Sequence, residues 1–129
     1  MEIVSLNLLA GWLGMVGGVL SGAVIGLFFH RDQWMGGYGS FQRRLTRLGH
    51  ISFFGLGTVN LMFAFTVRTV EIAPAAVHLA SPCFIVGLVT MPLCCFLTAW
   101  RKSLKNLFPI PVASVLIGIV ALLAGWPMR

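Results

Sequence analysis

The chain has 129 residues and a net charge of +6, yet 58% of its residues are hydrophobic and only 9% charged. Soluble domains carry about 25% charged residues, and so short a chain could not hide this much apolar surface from water. An ordinary soluble fold is therefore excluded, and there is room for one domain over residues 1–129.

The charges fall between four apolar runs, Ile3–Phe29, Leu48–Val67, Ala73–Ala99 and Leu107–Trp126, which contain no Asp, Glu, Lys or Arg. A helix needs roughly 20 residues to cross a hydrocarbon core. The expected fold class is an all-α integral membrane protein with four antiparallel transmembrane helices at about residues 5–29, 48–67, 74–99 and 107–126. The first run lacks the basic start of a secretion signal and exceeds its usual core length; it reads as a retained helix. Seven of the nine basic residues lie at Arg31, Arg43, Arg44, Arg47, Arg101, Lys102 and Lys105, in the first and third connections. By the positive-inside rule this places connections 30–47 and 100–106 in the cytoplasm and both termini outside, in a bacterial-type cytoplasmic membrane. The same distribution argues against nucleic acid as a partner. It favours membrane lipids, with Arg43, Arg44, Arg47, Arg101, Lys102 and Lys105 as candidate headgroup contacts.

In helix one, Gly14, Gly18, Gly22 and Gly26 recur every four residues, with Gly11 and Gly17 nearby. Glycine allows close backbone approach between helices in lipid, so these four are expected to pack helix one. Steps of four drift by about 40° each at 3.6 residues per turn, which winds the row around the helix towards two neighbours.

The connection 30–47 holds the WMGGYG stretch, a turn anchored by aromatic rings. The QRRLTR stretch after it is expected as a short interfacial helix. Helix two carries Asn60 near mid-membrane, and an amide there must face other helices. Pro74 suits the first turn of helix three, whereas Pro82 and Pro92 each remove a helical hydrogen bond. Helix four is nearly all aliphatic, with Ser114 its one hydroxyl; most of its surface is expected against lipid or another subunit.

Three constellations are candidates for chemistry. His30 and His50 flank the 30–47 connection at one depth, and two neutral imidazoles are a candidate axial pair for b-type haem. Met91, Cys94 and Cys95 share a broad face of helix three as a candidate soft-metal site, although Met and Cys are also ordinary packing residues. Asn60 is a candidate centre for an oligomeric transporter or channel. His78 stands near the opposite surface from His50 and suits an interfacial hydrogen bond. No intramembrane acid, nucleophile elbow, zinc-protease pair or phosphate loop is present. The leading expectation is a non-enzymatic integral subunit that packs with other membrane protein subunits. A haem-carrying electron-transfer subunit and a transporter are the alternatives.

Overall fold

A computed structural model describes residues 2–127. Its described residues form four long helices and no strand: α1 (Glu2–Phe28), α2 (Phe41–Thr69), α3 (Pro74–Trp100) and α4 (Pro109–Ala124). Short 3-10 helices, Trp34–Gly36 and Lys102–Leu107, occupy the two basic connections. All four segments are long and apolar enough to cross a membrane, the last counted from Lys102. The protein is thus suited to a membrane.

The helices pack in chain order, α1 on α2, α2 on α3 and α3 on α4. α3 lies between α2 and α4 and is the most buried helix. α1 touches α3 only over a short stretch.

The side-chain distribution is the reverse of a soluble protein's. α1 turns Val4, Asn7, Gly11, Gly14, Gly18 and Ile25 inward. Its large residues, among them Leu9, Trp12, Leu13 and Leu20, face out. Water would penalise such an exterior, but lipid does not, and small inward residues maximise close helix contact.

The inward stripe advances by alternating steps of three and four, a period of 3.5 that keeps one face on its neighbour. A strict step of four falls behind this stripe. That is why a Cβ at Gly14 would meet α2 and α3, one at Gly18 or Gly22 would meet α2, and one at Gly26 would meet nothing within 4 Å. The packing role expected of Gly26 is therefore corrected.

α2 begins seven residues earlier than its charge-free run. Ser40 caps it, its Oγ accepting from the Arg43 backbone N–H at 3.1 Å. A capping hydroxyl satisfies one of the four orphan donors of a helix start. The QRRLTR stretch is consequently helical and runs without a break into the rest of α2.

Candidate functional site

Two polar centres stand out in a chain otherwise packed by apolar atoms. The first joins three helices. Asn7 of α1 and Asn60 of α2 are both 0% exposed, and Ser81 of α3 is 3% exposed. Asn7 Nδ2 donates to Asn60 Oδ1 at 2.8 Å and to the Ser81 carbonyl at 3.2 Å. The Ser81 hydroxyl donates to Asn7 Oδ1. Asn60 Nδ2 donates to the Leu56 carbonyl at 2.9 Å and to the Phe84 carbonyl at 3.1 Å.

α4 repeats the device, Ser114 Oγ donating to the Cys83 carbonyl at 2.7 Å. The carbonyls of residues 81–84 on α3 thus receive side-chain donors from all three other helices. Apolar layers flank this hub. Phe63 and Phe84 lie with ring centroids 5.2 Å apart, in a cluster with Val4, Ala64, Val77, Ala80 and Ala121. Asn7 and Ser81 are five and seven residues from the starts of their helices, which puts the hub roughly 10 Å in from that end.

The second centre orders the first basic connection. Arg43 is 1% exposed. Its Nη2 donates to the Phe29 carbonyl at 2.7 Å, just past the end of α1, and Nη1 points to the Arg31 carbonyl at 3.5 Å. The guanidinium lies 4.9 Å from the ring centroids of Phe29 and Tyr38 and 5.5 Å from that of Trp34. Arginine suits such a place because its weakly hydrated plane stacks on rings while its fork donates.

Arg43 is therefore no headgroup contact: its charge is buried against the carboxyl end of α1, where the helix dipole favours a cation. Of the other candidates, Arg44, Arg101, Lys102 and Lys105 are exposed. Arg47 lies half-buried with its guanidinium 5.0 Å from the Tyr38 ring centroid. Around Arg43 the chain turns sharply: Met35 has φ +54°, followed by Gly36 and Gly37 at +82° and +99°. Glycine adopts that region freely. For Met35 the Ser40 hydroxyl helps hold the turn by donating to its carbonyl at 2.6 Å.

The candidate haem ligands sit on different segments, His50 within α2 and His30 just past the end of α1. His50 projects onto α1, where a Cβ on Gly22 would come 2.5 Å from its Cε1. Its Nδ1 lies 3.1 Å from Ser21 Oγ, and that hydroxyl is directed at the Gly18 carbonyl, also at 3.1 Å. His30 lies eight residues past Gly22, beyond the end of α1 and roughly 10 Å farther along its axis. Two axial nitrogens on one iron must face each other across a few ångströms.

The candidate soft-metal residues also diverge. Met91 lines the groove between α2 and α4. Cys95 is buried where a Cβ on Gly49 would meet its own Cβ at 3.1 Å, and Cys94 is buried as well. Among the described residues, no group of three or more His, Cys, Asp or Glu is placed to hold a metal ion.

Sequence reasoning passed over Asn7 and gave Ser81 no role in packing. The signal was there: each is a polar residue within a charge-free run, and such residues in lipid must find partners. No protein family, curated protein or solved structure matches the chain.

Proposed function

We propose that the protein is a small, non-catalytic integral subunit that packs within a larger membrane assembly. Its helices run antiparallel, with both termini outside and connections 30–47 and 100–106 in the cytoplasm of a bacterial-type cell. One observation carries the reading: Asn7, Asn60 and Ser81 are wholly engaged in joining helices to each other. That leaves an exterior of large apolar side chains on α1 and α4 and no free amide at the centre of the fold. Contacts that descend α2 as they climb α1, from Gly11 with Leu61 to Gly22 with His50, support the antiparallel arrangement.

The other roles draw less support. For haem, His50 is already docked against Gly22 and Ser21 of α1. A channel through Asn60 needs an amide that is not already bonded to Asn7, Leu56 and Phe84.

Cross-linking in the native membrane, followed by gentle extraction and native sizing, tests the proposal. The expected result is a particle larger than one chain with defined partner bands. A monomer that carries no protein partner after cross-linking would remove it.

A further inference from the structure

The geometry points to a binding site for one anionic phospholipid in the groove between α2 and α4. Both helices rest on α3 without packing closely on each other, and the trench between them has a volume of about 680 Å³. Its walls include Leu48, Gly55 and Val59 of α2 and Val112 and Ile119 of α4, and Met91 of α3 forms part of its lining. The walls are almost wholly apolar.

The groove's length identifies its occupant. From Leu48 to Val59 a helix rises about 16 Å, close to the roughly 15 Å of one leaflet's hydrocarbon. A spanning partner helix would need a seat twice as long. One acyl chain fits a seat that ends halfway.

The groove's mouth supplies the headgroup chemistry. Arg44 lies one turn before Leu48 on the same face of α2, since residues i and i+4 are stacked on a helix. Arg44 is exposed, and among the described residues its guanidinium has no hydrogen-bond or ion-pair partner. The 3-10 helix Lys102–Leu107 is held against the start of α2, with Lys102 Nζ 5.3 Å from the centroid of the Phe41 ring. Lys105 follows in the same helix, and its carbonyl accepts from the N–H of Phe108, a groove residue just before α4.

Arg44, Lys102 and Lys105 therefore all lie on segments at one end of the trench. The three acids of the chain, Glu2, Asp32 and Glu71, lie on other elements. A phosphate placed there gains charge-assisted hydrogen bonds, while its chain fills the groove. Gly55 opens the groove's middle: a Cβ there would meet nothing within 4 Å.

The site needs only that the helices lie in a bilayer. It stands whether or not the protein joins an assembly, so a lipid-bound monomer would keep this inference and remove the subunit role. The test reconstitutes the full chain into vesicles of phosphatidylglycerol and phosphatidylcholine with matched acyl chains, in equal amounts. It then re-extracts the protein mildly and weighs the complex by native mass spectrometry.

The wild type is expected to retain one phosphatidylglycerol with at least ten-fold preference. Arg44→Gln with Lys105→Gln is expected to bring the preference below two-fold. Gly55→Phe is expected to remove bound lipid of either kind while Gly26→Phe does not. Circular dichroism checks that each variant is helical, and if Gly55→Phe is not, the charge variant alone decides. Equal retention of the two lipids by the wild type would overturn the site, as would an unchanged preference in the charge variant. So would a photoreactive side chain at Val112 that captures a protein and no lipid in native membranes.

Discussion

Asn7 and Asn60 meet amide to amide across the α1–α2 interface, Asn7 Nδ2 donating to Asn60 Oδ1 at 2.8 Å with neither residue exposed. Each amide also reaches a backbone carbonyl of α3, at Ser81 and Phe84. The pair thus registers three helices at once. In lipid no water is at hand to replace a lost partner.

Asn60→Leu is accordingly expected to lower the unfolding free energy in mixed micelles by about 1–2 kcal/mol, the cost of orphaning a buried donor. A double-mutant cycle with Asn7→Leu should return a coupling of about 0.6 kcal/mol, the average for hydrogen bonds between membrane helices, and no more than about 1.7 kcal/mol. Additive effects of the two changes would show that the amides do not act on each other.

Glycine substitutions should divide by position on the stripe. A Cβ on Gly11 would come 2.9 Å from the Gly57 carbonyl and 2.6 Å from Leu61 Cγ. A backbone atom cannot swing aside, so α1 and α2 must separate. Gly11→Ala is expected to destabilise by about 1–3 kcal/mol, as overpacking does elsewhere. Gly26→Ala meets nothing and should be neutral or gain up to about 1 kcal/mol from helix propensity. Thermal unfolding of the two variants in one detergent checks the contrast, and equal losses would contradict it.

Arg43 and Arg44 are neighbours in sequence with different work. Arg43→Gln removes the guanidinium that binds the Phe29 carbonyl and stacks among Phe29, Trp34 and Tyr38. Amide exchange over residues 34–40 should accelerate at least ten-fold, equivalent to a loss of about 1.4 kcal/mol in local stability. Lysine should not restore protection, because it lacks the planar fork. Arg44→Gln should leave exchange in this segment unchanged. Protection that survives Arg43→Gln would mean that the turn is held by its glycines and Ser40 alone.

Much of this architecture is legible in the chain itself. The four charge-free runs locate the four helices, because charge in hydrocarbon is costly. The start of α2 is less legible: Arg43, Arg44 and Arg47 look like loop residues until the Ser40 cap is seen. The inward stripe of α1 is also obscure, since its members are glycines and an asparagine and no hydrophobic period betrays them. The row of glycines spaced by four drew attention to the right helix but carried one residue too far, to Gly26. Arg43 could not be told from its neighbours by type. Only the return of the 30–40 turn brings the end of α1 close enough for a buried cation to satisfy it.

Haem binding has a plain optical test. Expressed with ample haem and purified, the protein is expected to show no Soret band, because His50 is docked at Gly22 and Ser21 while His30 lies beyond the end of α1. A band lost in both His30→Ala and His50→Ala would require the first connection to rearrange around an iron. A band lost only in His50→Ala would instead point to His50 acting with a ligand outside this chain.

The proposed membrane orientation rests on charge and can be read by labelling. Burial of Arg43 takes one cation out of the first connection, yet Arg31, Arg44, Arg47, Arg101, Lys102 and Lys105 remain at that end. At the other end the described charges are Glu2, Arg68 and Glu71. Lys and Arg near helix ends set orientation, and acids contribute little, so the imbalance favours the basic end in the cytoplasm. Ser103 is exposed on the 3-10 helix after α3, and Glu71 is exposed on the link before it. Ser103→Cys should react with a membrane-impermeant maleimide only after the cells are opened, and Glu71→Cys should react in intact cells. The native Cys83, Cys94 and Cys95 lie within α3 and should stay silent in both conditions. Labelling of Ser103→Cys from outside intact cells would invert the topology.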